Sequence, residues 1–253
     1  MTSRLCLCAL LVFCAYASLT PGLRAGAQEP PRTAEVLFHR GYTHQQEGRI
    51  DEAIADYGRA IEMKPDYAEA YNNRGLLYAG KNLIDDAIAD YNKAIEFNWD
   101  YAEAFNNRGI SYSAQGRLDE AISDYNRATT LQAGYAEAYN NRGFAFAKKG
   151  LLDDAIADYS KALELKPGFA LALKNRGSAY EEQGLYDEAV ADFSRALEIN
   201  QTDAHALNNR AVVYFHRKDF DRALEDIEKA QALGFAVNPE FLKALMQAAG
   251  KKK

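Results

Sequence analysis

The sequence predicts an all-α fold, a solenoid of six stacked helix pairs closed by a C-terminal capping helix. Three observations carry this reading. The string Ala68-Glu69-Ala70-Tyr71-Asn72-Asn73-Arg74-Gly75 recurs almost unchanged at Ala102 to Gly109 and at Ala136 to Gly143, which sets a period of 34 residues. Small residues hold fixed places in each unit: Gly41, Gly75, Gly109, Gly143, Gly177 and Ala211, then Ala53, Ala87, Ala121, Ala155, Ala189 and Ala223. Aromatic residues fill two further columns, Tyr78, Tyr112, Phe146, Tyr180 and Tyr214 in one and Tyr57, Tyr91, Tyr125, Tyr159 and Phe193 in the other. Helix pairs of this kind bury their apolar faces only by stacking on their neighbours, so the aromatics belong to a core.

The first element in chain order is a signal peptide over residues 1–27. Arg4 precedes an apolar run from Leu5 to Leu19, and Ala25-Gly26-Ala27 supplies the small residues of a cleavage site after Ala27. The run falls short of the roughly 20 residues that span a membrane, so the chain is expected to be exported to the periplasm or cell envelope. An uncleaved anchor is the alternative. Removing these residues takes away Arg4, Arg24 and no acid, and the formal charge moves from -6 to -8. All three cysteines, Cys6, Cys8 and Cys14, lie in this segment, which leaves the body with neither a disulfide nor a thiolate metal site. Residues 28–33, with Pro30 and Pro31, read as an extended linker.

Six units follow, at 34–67, 68–101, 102–135, 136–169, 170–203 and 204–237. Each spells helix, turn, helix. Asp66 with Glu69, and Asp100 with Glu103, form the pattern of a capping box at the first helix. Gly48, Gly116, Gly150 and Gly184 suit a left-handed cap at its end. Asp51, Asp85, Asp119, Asp153, Asp187 and Asp221 are placed to accept from the free amides of the second helix. The sixth unit degrades, with Ala211, Lys218 and Ile227 in place of two glycines and an aromatic. Residues 238–253 then form a cap: Asn238 and Pro239 start a helix, and Phe241, Leu242, Leu245 and Met246 give it an apolar face before the Lys251 to Lys253 tail.

The period, the aromatic-glycine-aromatic pattern of the first helix and the small residue of the second resemble the tetratricopeptide repeat family over 204 residues. The resemblance implies a right-handed α-α superhelix whose first helices line a concave face that grips proteins or peptides. One column departs from the family's commonest pattern. Arg40, Arg74, Arg108, Arg142, Arg176 and Arg210 stand where an apolar residue is usual, and Asp56, Asp90, Asp124, Asp158, Asp192 and Asp226 follow each by sixteen residues. The spacing predicts ion pairs within a unit or between adjacent units, a geometry that the planar guanidinium satisfies with two parallel bonds. An arginine track for an acidic ligand is the alternative.

The candidate binding residues lie on the first helices. One column holds Asn73, Asn107, Asn141, Asn175 and Asn209; its neighbour holds Asn72, Asn106, Asn140 and Asn208, with Lys174 in the fifth unit. A side-chain amide both donates and accepts, so a row of them can hold the backbone of an extended peptide without reading its sequence. A similar asparagine ladder in the repeats of O-linked N-acetylglucosamine transferases suggests such a use for the column from Asn73 to Asn209; bonds from some of the asparagines to neighbouring helices are the alternative. Leu76, Ile110 and Phe144, with Tyr42 and Val212, add apolar contacts beside the ladder, and Ser178 interrupts them. Family members that grip the carboxylate termini of heat-shock chaperones use a basic clamp. Here Lys174 is the lone lysine of the amide columns, and Glu69, Glu103 and Glu137 edge the groove.

Composition narrows the function classes. With 30 Lys and Arg against 36 Asp and Glu, the chain repels phosphate backbones, which argues against nucleic acid as a partner. The four histidines show no metal spacing, no nucleophile elbow or phosphate loop appears, and the repeats leave no room for a catalytic domain. No catalytic residue, metal or cofactor is therefore expected. The expected function is a monomeric scaffold for a partner protein or extended peptide. The alternatives are a chaperone-like module that presents unfolded segments and a non-catalytic subunit that recruits an enzyme.

Overall fold

A computed structural model describes residues 33–250, and the expected signal peptide, most of the expected linker and the lysine tail lie outside that span. The described residues form thirteen helices and no strand. The six units fold as the hairpins α1 (Ala34–Gln46) and α2 (Ile50–Met63), α3 (Ala68–Gly80) and α4 (Ile84–Phe97), α5 (Ala102–Ala114) and α6 (Leu118–Leu131), α7 (Ala136–Lys148) and α8 (Leu152–Leu165), α9 (Ala170–Glu182) and α10 (Tyr186–Ile199), and α11 (Ala204–His216) and α12 (Phe220–Ala232). A last helix, α13 (Pro239–Ala248), follows them. Each second helix packs on both its own first helix and the helix that follows it, the first helix of the next unit or, for α12, the cap α13, which makes an α-α solenoid. Successive first helices also touch, α3 with α5, α5 with α7, α7 with α9 and α9 with α11. That approach puts them on the inner side of the stack.

The turn between paired helices needs one residue at positive φ. Gly116 supplies it at 74°, while Asn82 and Lys218 adopt the same region at 61° and 62° where the sequence has no glycine. Asparagine tolerates this conformation, but a lysine is strained there. Close approach of the two helices explains the other glycine column. A Cβ on Gly109 would lie 2.7 Å from Cε1 of Tyr125, and one on Gly75 would lie 2.8 Å from Cε1 of Tyr91. Those tyrosines are the buried centre of each hairpin, with Tyr57, Tyr91, Tyr125, Tyr159 and Phe193 no more than 2% exposed. The first-helix aromatics Tyr78, Tyr112, Phe146 and Tyr180 are only half-buried.

Helix starts differ from the expected capping scheme. Neither Tyr67 nor Tyr101, the N-caps of α3 and α5, makes a side-chain cap bond, and the same holds for Leu83 and Arg117 before α4 and α6. The tight connections place the expected capping acids inside the first turn, where the helix dipole favours them but their side chains point away. The freed carboxylates bridge the units instead. Asp51 accepts from Lys81 at 2.5 Å, Asp85 from Gln115 at 2.7 Å, Asp119 from Lys149, Asp153 from Gln183 at 2.6 Å, and Asp187 pairs with Arg217 at 2.9 Å. Side-chain caps occur at Thr33, Asp203, Asp219 and Asn238. The side-chain Oδ1 of Asn238 accepts from the amides of Glu240 and Phe241, and Pro239 opens α13. Leu245 of that helix is fully buried against Ala211, Tyr214, Leu224 and Ile227, with Phe241 and Met246 beside it, so α13 closes the core of the sixth unit. No described helix is long and apolar enough to cross a membrane.

Candidate binding groove

The groove is built on the inner helices, and its two asparagine columns take different roles. Asn72, Asn106 and Asn140 are buried at 2–4% exposure, whereas Asn73, Asn107, Asn141, Asn175, Asn208 and Asn209 are half-buried. Across each central junction the outer asparagine donates to the buried one of the unit before it. Asn107 bonds to Asn72, Asn141 to Asn106 and Asn175 to Asn140, each at 3.0 Å. The column expected as a second row of ligand contacts is thus, over Asn72, Asn106 and Asn140, an internal strut. Its side chains point at the next unit because one residue of offset on a helix turns a side chain by about 100°. Each donor asparagine spends one N–H on the strut and keeps further bonding capacity for a ligand.

Leu76, Ile110 and Phe144 remain 38%, 46% and 43% exposed beside this row. Two concavities lie along it. A cavity of about 270 Å³ is lined by Ile110, Ser113, Ala114, Tyr125, Asn141 and Phe144, and a second of about 200 Å³ includes Phe144, Ala147, Lys148, Tyr159, Asn175 and Ser178. These six stand 34 positions after the six of the first, and Ala179 and Glu182 complete the second wall, so the two are one site repeated. The hydroxyls of Tyr125 and Tyr159 at their bases are pushed upward in pKa by burial and then by Asp124 and Asp158, which keeps them neutral donors. Sequence reading missed these hydroxyls, because buried core tyrosines carry no pattern that separates a packed ring from one whose tip reaches a groove. In the first unit Gln45 fills the corresponding place and accepts from Tyr57 at 2.8 Å; the next three units carry the smaller Ala79, Ser113 and Ala147 there, and the last two Glu181 and Phe215.

The arginine and aspartate columns meet within each unit. All six pairs are bidentate, with Nε and Nη2 donating to the two carboxylate oxygens at 2.5–2.8 Å. The aspartates are 2–6% exposed. The remaining nitrogen ties the unit to the one before it: Arg108 to Asn92 and Arg142 to Asn126 at 2.7 Å, Arg176 to Ser160 and Arg210 to Ser194 at 2.9 Å. Burial pushes the Asp90 carboxyl up despite Arg74, while at Asp56 burial is outweighed by the neighbouring Arg40, His44 and Arg59, which together hold it low. Among the described residues no His, Cys, Asp and Glu group has the arrangement of a metal site.

Sequence models described as TPR repeat and tetratricopeptide repeat match residues 41–82, 81–116, 111–150, 136–169, 170–203 and 193–225. The chain belongs to the tetratricopeptide repeat family. Repeats of this family are protein-interaction scaffolds, and none of the matching models describes a catalytic domain. No curated protein matches the chain. A crystal structure of MamA is 32% identical, covering 68% of this chain and 94% of that one, with a TM-score of 0.59. YrrB, described as a TPR protein with an unusual peptide-binding site, is 25% identical over 77% of this chain and 97% of its own, with a TM-score of 0.61. PilF of Pseudomonas aeruginosa, at 18% identity, 83% and 96% coverage and a TM-score of 0.74, shares the tetratricopeptide fold.

Proposed function

We propose that this tetratricopeptide protein is a scaffold that holds an extended segment of a partner protein against its inner helices. The observation that carries the reading is the repeated site: Asn141 and Asn175 each wall a cavity beside an exposed apolar residue, one unit apart. Amides meet the backbone of a bound segment and the cavities take its side chains. The peptide-binding site named for YrrB supports the same use of this fold. Because side-chain amides read backbone rather than sequence, presentation of unfolded segments is a second form of this activity. Arg4, the apolar run to Leu19 and Ala25-Gly26-Ala27 favour export of the chain. The test compares wild type with the double variant Ile110→Ser, Phe144→Ser in capture of partners from the exported fraction. Both residues are exposed, so the variant keeps its fold; the reading requires loss of a partner that the wild type retains, and equal capture contradicts it.

A further inference from the structure

One edge of the groove, at the amino ends of the inner helices, carries a second repeated pattern. In the first unit the Nζ atom of Lys64 lies 4.4 Å from the ring centroid of Tyr67, and its charge acts on Glu35. In the fourth unit Lys166 lies 4.8 Å over Phe169 and donates to Glu137 at 2.8 Å. The chain thus builds the same arrangement twice, an ammonium over an aromatic face and beside a carboxylate. In the second and third units the aromatic and the acid are kept, as Tyr101 with Glu69 and Tyr135 with Glu103, but neutral Asn98 and Gln132 stand where the lysines stand.

Carboxylates of two units act on each of these tyrosines. Burial first, then Glu103 and Glu69, pushes the Tyr101 hydroxyl up to about 12; burial, then Glu103 and Glu137, does the same for Tyr135. Each ring therefore lies between carboxylates of two successive units. Glu69 and Glu103 are exposed, and no ion pair reaches either one from the described residues. Tyr101 also interacts with Asn72, the residue that Asn107 bonds, so this edge is continuous with the asparagine row.

We propose that Tyr101 with Glu69 and Glu103, and Tyr135 with Glu103 and Glu137, hold two lysine or arginine side chains of a basic partner segment lying along the groove. The inference rests on the groove reading above and names the class of its occupant. A cation gains from the ring quadrupole and from the adjacent carboxylates together. The excess of acids over bases in the chain draws such a segment in. Neighbouring inner helices pack roughly 10 Å apart, about three residues of extended chain at ~3.3 Å each, so the two cations fall at every third position.

The probe is a labelled peptide of four Lys-Ala-Gly repeats, titrated by fluorescence anisotropy against a Glu-Ala-Gly counterpart. Wild type binds the lysine probe and not the glutamate one. The double variant Asn98→Lys, Gln132→Lys, which supplies the cations from within as the first and fourth units do, weakens binding about tenfold or more, as does Glu103→Gln. A control with two lysines at exposed positions of second helices, Ser123→Lys and Ala157→Lys, binds within about twofold of wild type because net charge alone is not the determinant. Absence of lysine-probe binding to wild type, unchanged binding to Asn98→Lys, Gln132→Lys, or equal weakening by the second-helix control overturns the inference. Partner capture separates it from the groove reading. If Ile110→Ser, Phe144→Ser loses the partner while Asn98→Lys, Gln132→Lys keeps it, the groove stands and the cation sites fall; the reverse pattern upholds the cation sites and removes the apolar groove.

Discussion

Asn107 donates its side-chain amide to Oδ1 of Asn72 across the junction between the second and third units, at 3.0 Å. Two residues adjacent in the repeat thereby part in role, since Asn72 is buried and Asn107 faces the groove. The bond makes the half-buried row part of the spine that aligns the units.

Removing a buried member of that spine should cost stability. Asn106→Ala deletes the acceptor for Asn141, and an unmet buried bond of this kind costs about 1–3 kcal/mol. Urea unfolding of the variant is expected to show a lower midpoint with helix content intact. An unchanged midpoint contradicts the strut.

The arginine pairs predict a non-additive cycle. Asp124→Ala leaves the Arg108 guanidinium, 18% exposed, without its carboxylate, and stranding a buried charge costs about 3–5 kcal/mol. The double variant Arg108→Met, Asp124→Leu is expected to recover most of that loss in the same unfolding measurement. Additive losses would show that the pair is not coupled.

The glycine column predicts a rescue. Gly109→Ala drives a Cβ into Tyr125, an overpacking that costs about 1–3 kcal/mol. The sixth unit carries Ala211 opposite Ile227 where the others carry glycine opposite an aromatic. Adding Tyr125→Ile to Gly109→Ala is therefore expected to raise the thermal midpoint above that of the single variant.

Alkaline pH should unfold the chain through its tyrosines. Burial pushes the hydroxyls of Tyr57, Tyr101 and Tyr135 up to about 12, and those of Tyr91, Tyr125 and Tyr159 further still. A pKa raised in the folded state contributes stability that is complete below the unfolded value of about 10. That contribution is lost as pH rises through about 12. Circular dichroism is expected to stay flat from neutral pH to about 10 and then fall together with the rise of tyrosinate absorbance.

Much of this was legible in the sequence because a solenoid repeats its chemistry at a fixed step. The 34-residue period placed Gly109 against the second helix, and the sixteen-residue spacing from Arg108 to Asp124 predicted contact, leaving open which unit supplied the partner. The structure puts both in one unit. The caps were misread because Asp85 sits beside the helix start in sequence, yet its carboxylate finds Gln115 of the next unit. A linear pattern cannot show that contact. For the same reason Asn72 and Asn73 both read as groove candidates, and only packing between units buries one and leaves the other at the groove. The cation sites required the observed positions of Lys64 and Lys166 before Asn98 and Gln132 acquired meaning.

The central claim is that the inner helices hold the partner, and site-directed photocrosslinking tests it most directly. A photoreactive side chain at position 144, between the two repeated cavities, is compared with one at exposed Glu96 on a second helix. The account predicts crosslinks from position 144 to one contiguous stretch of a partner, with positive residues beside it, and none from position 96. Crosslinks from position 96 alone would place the partner on the outer helices and contradict the account.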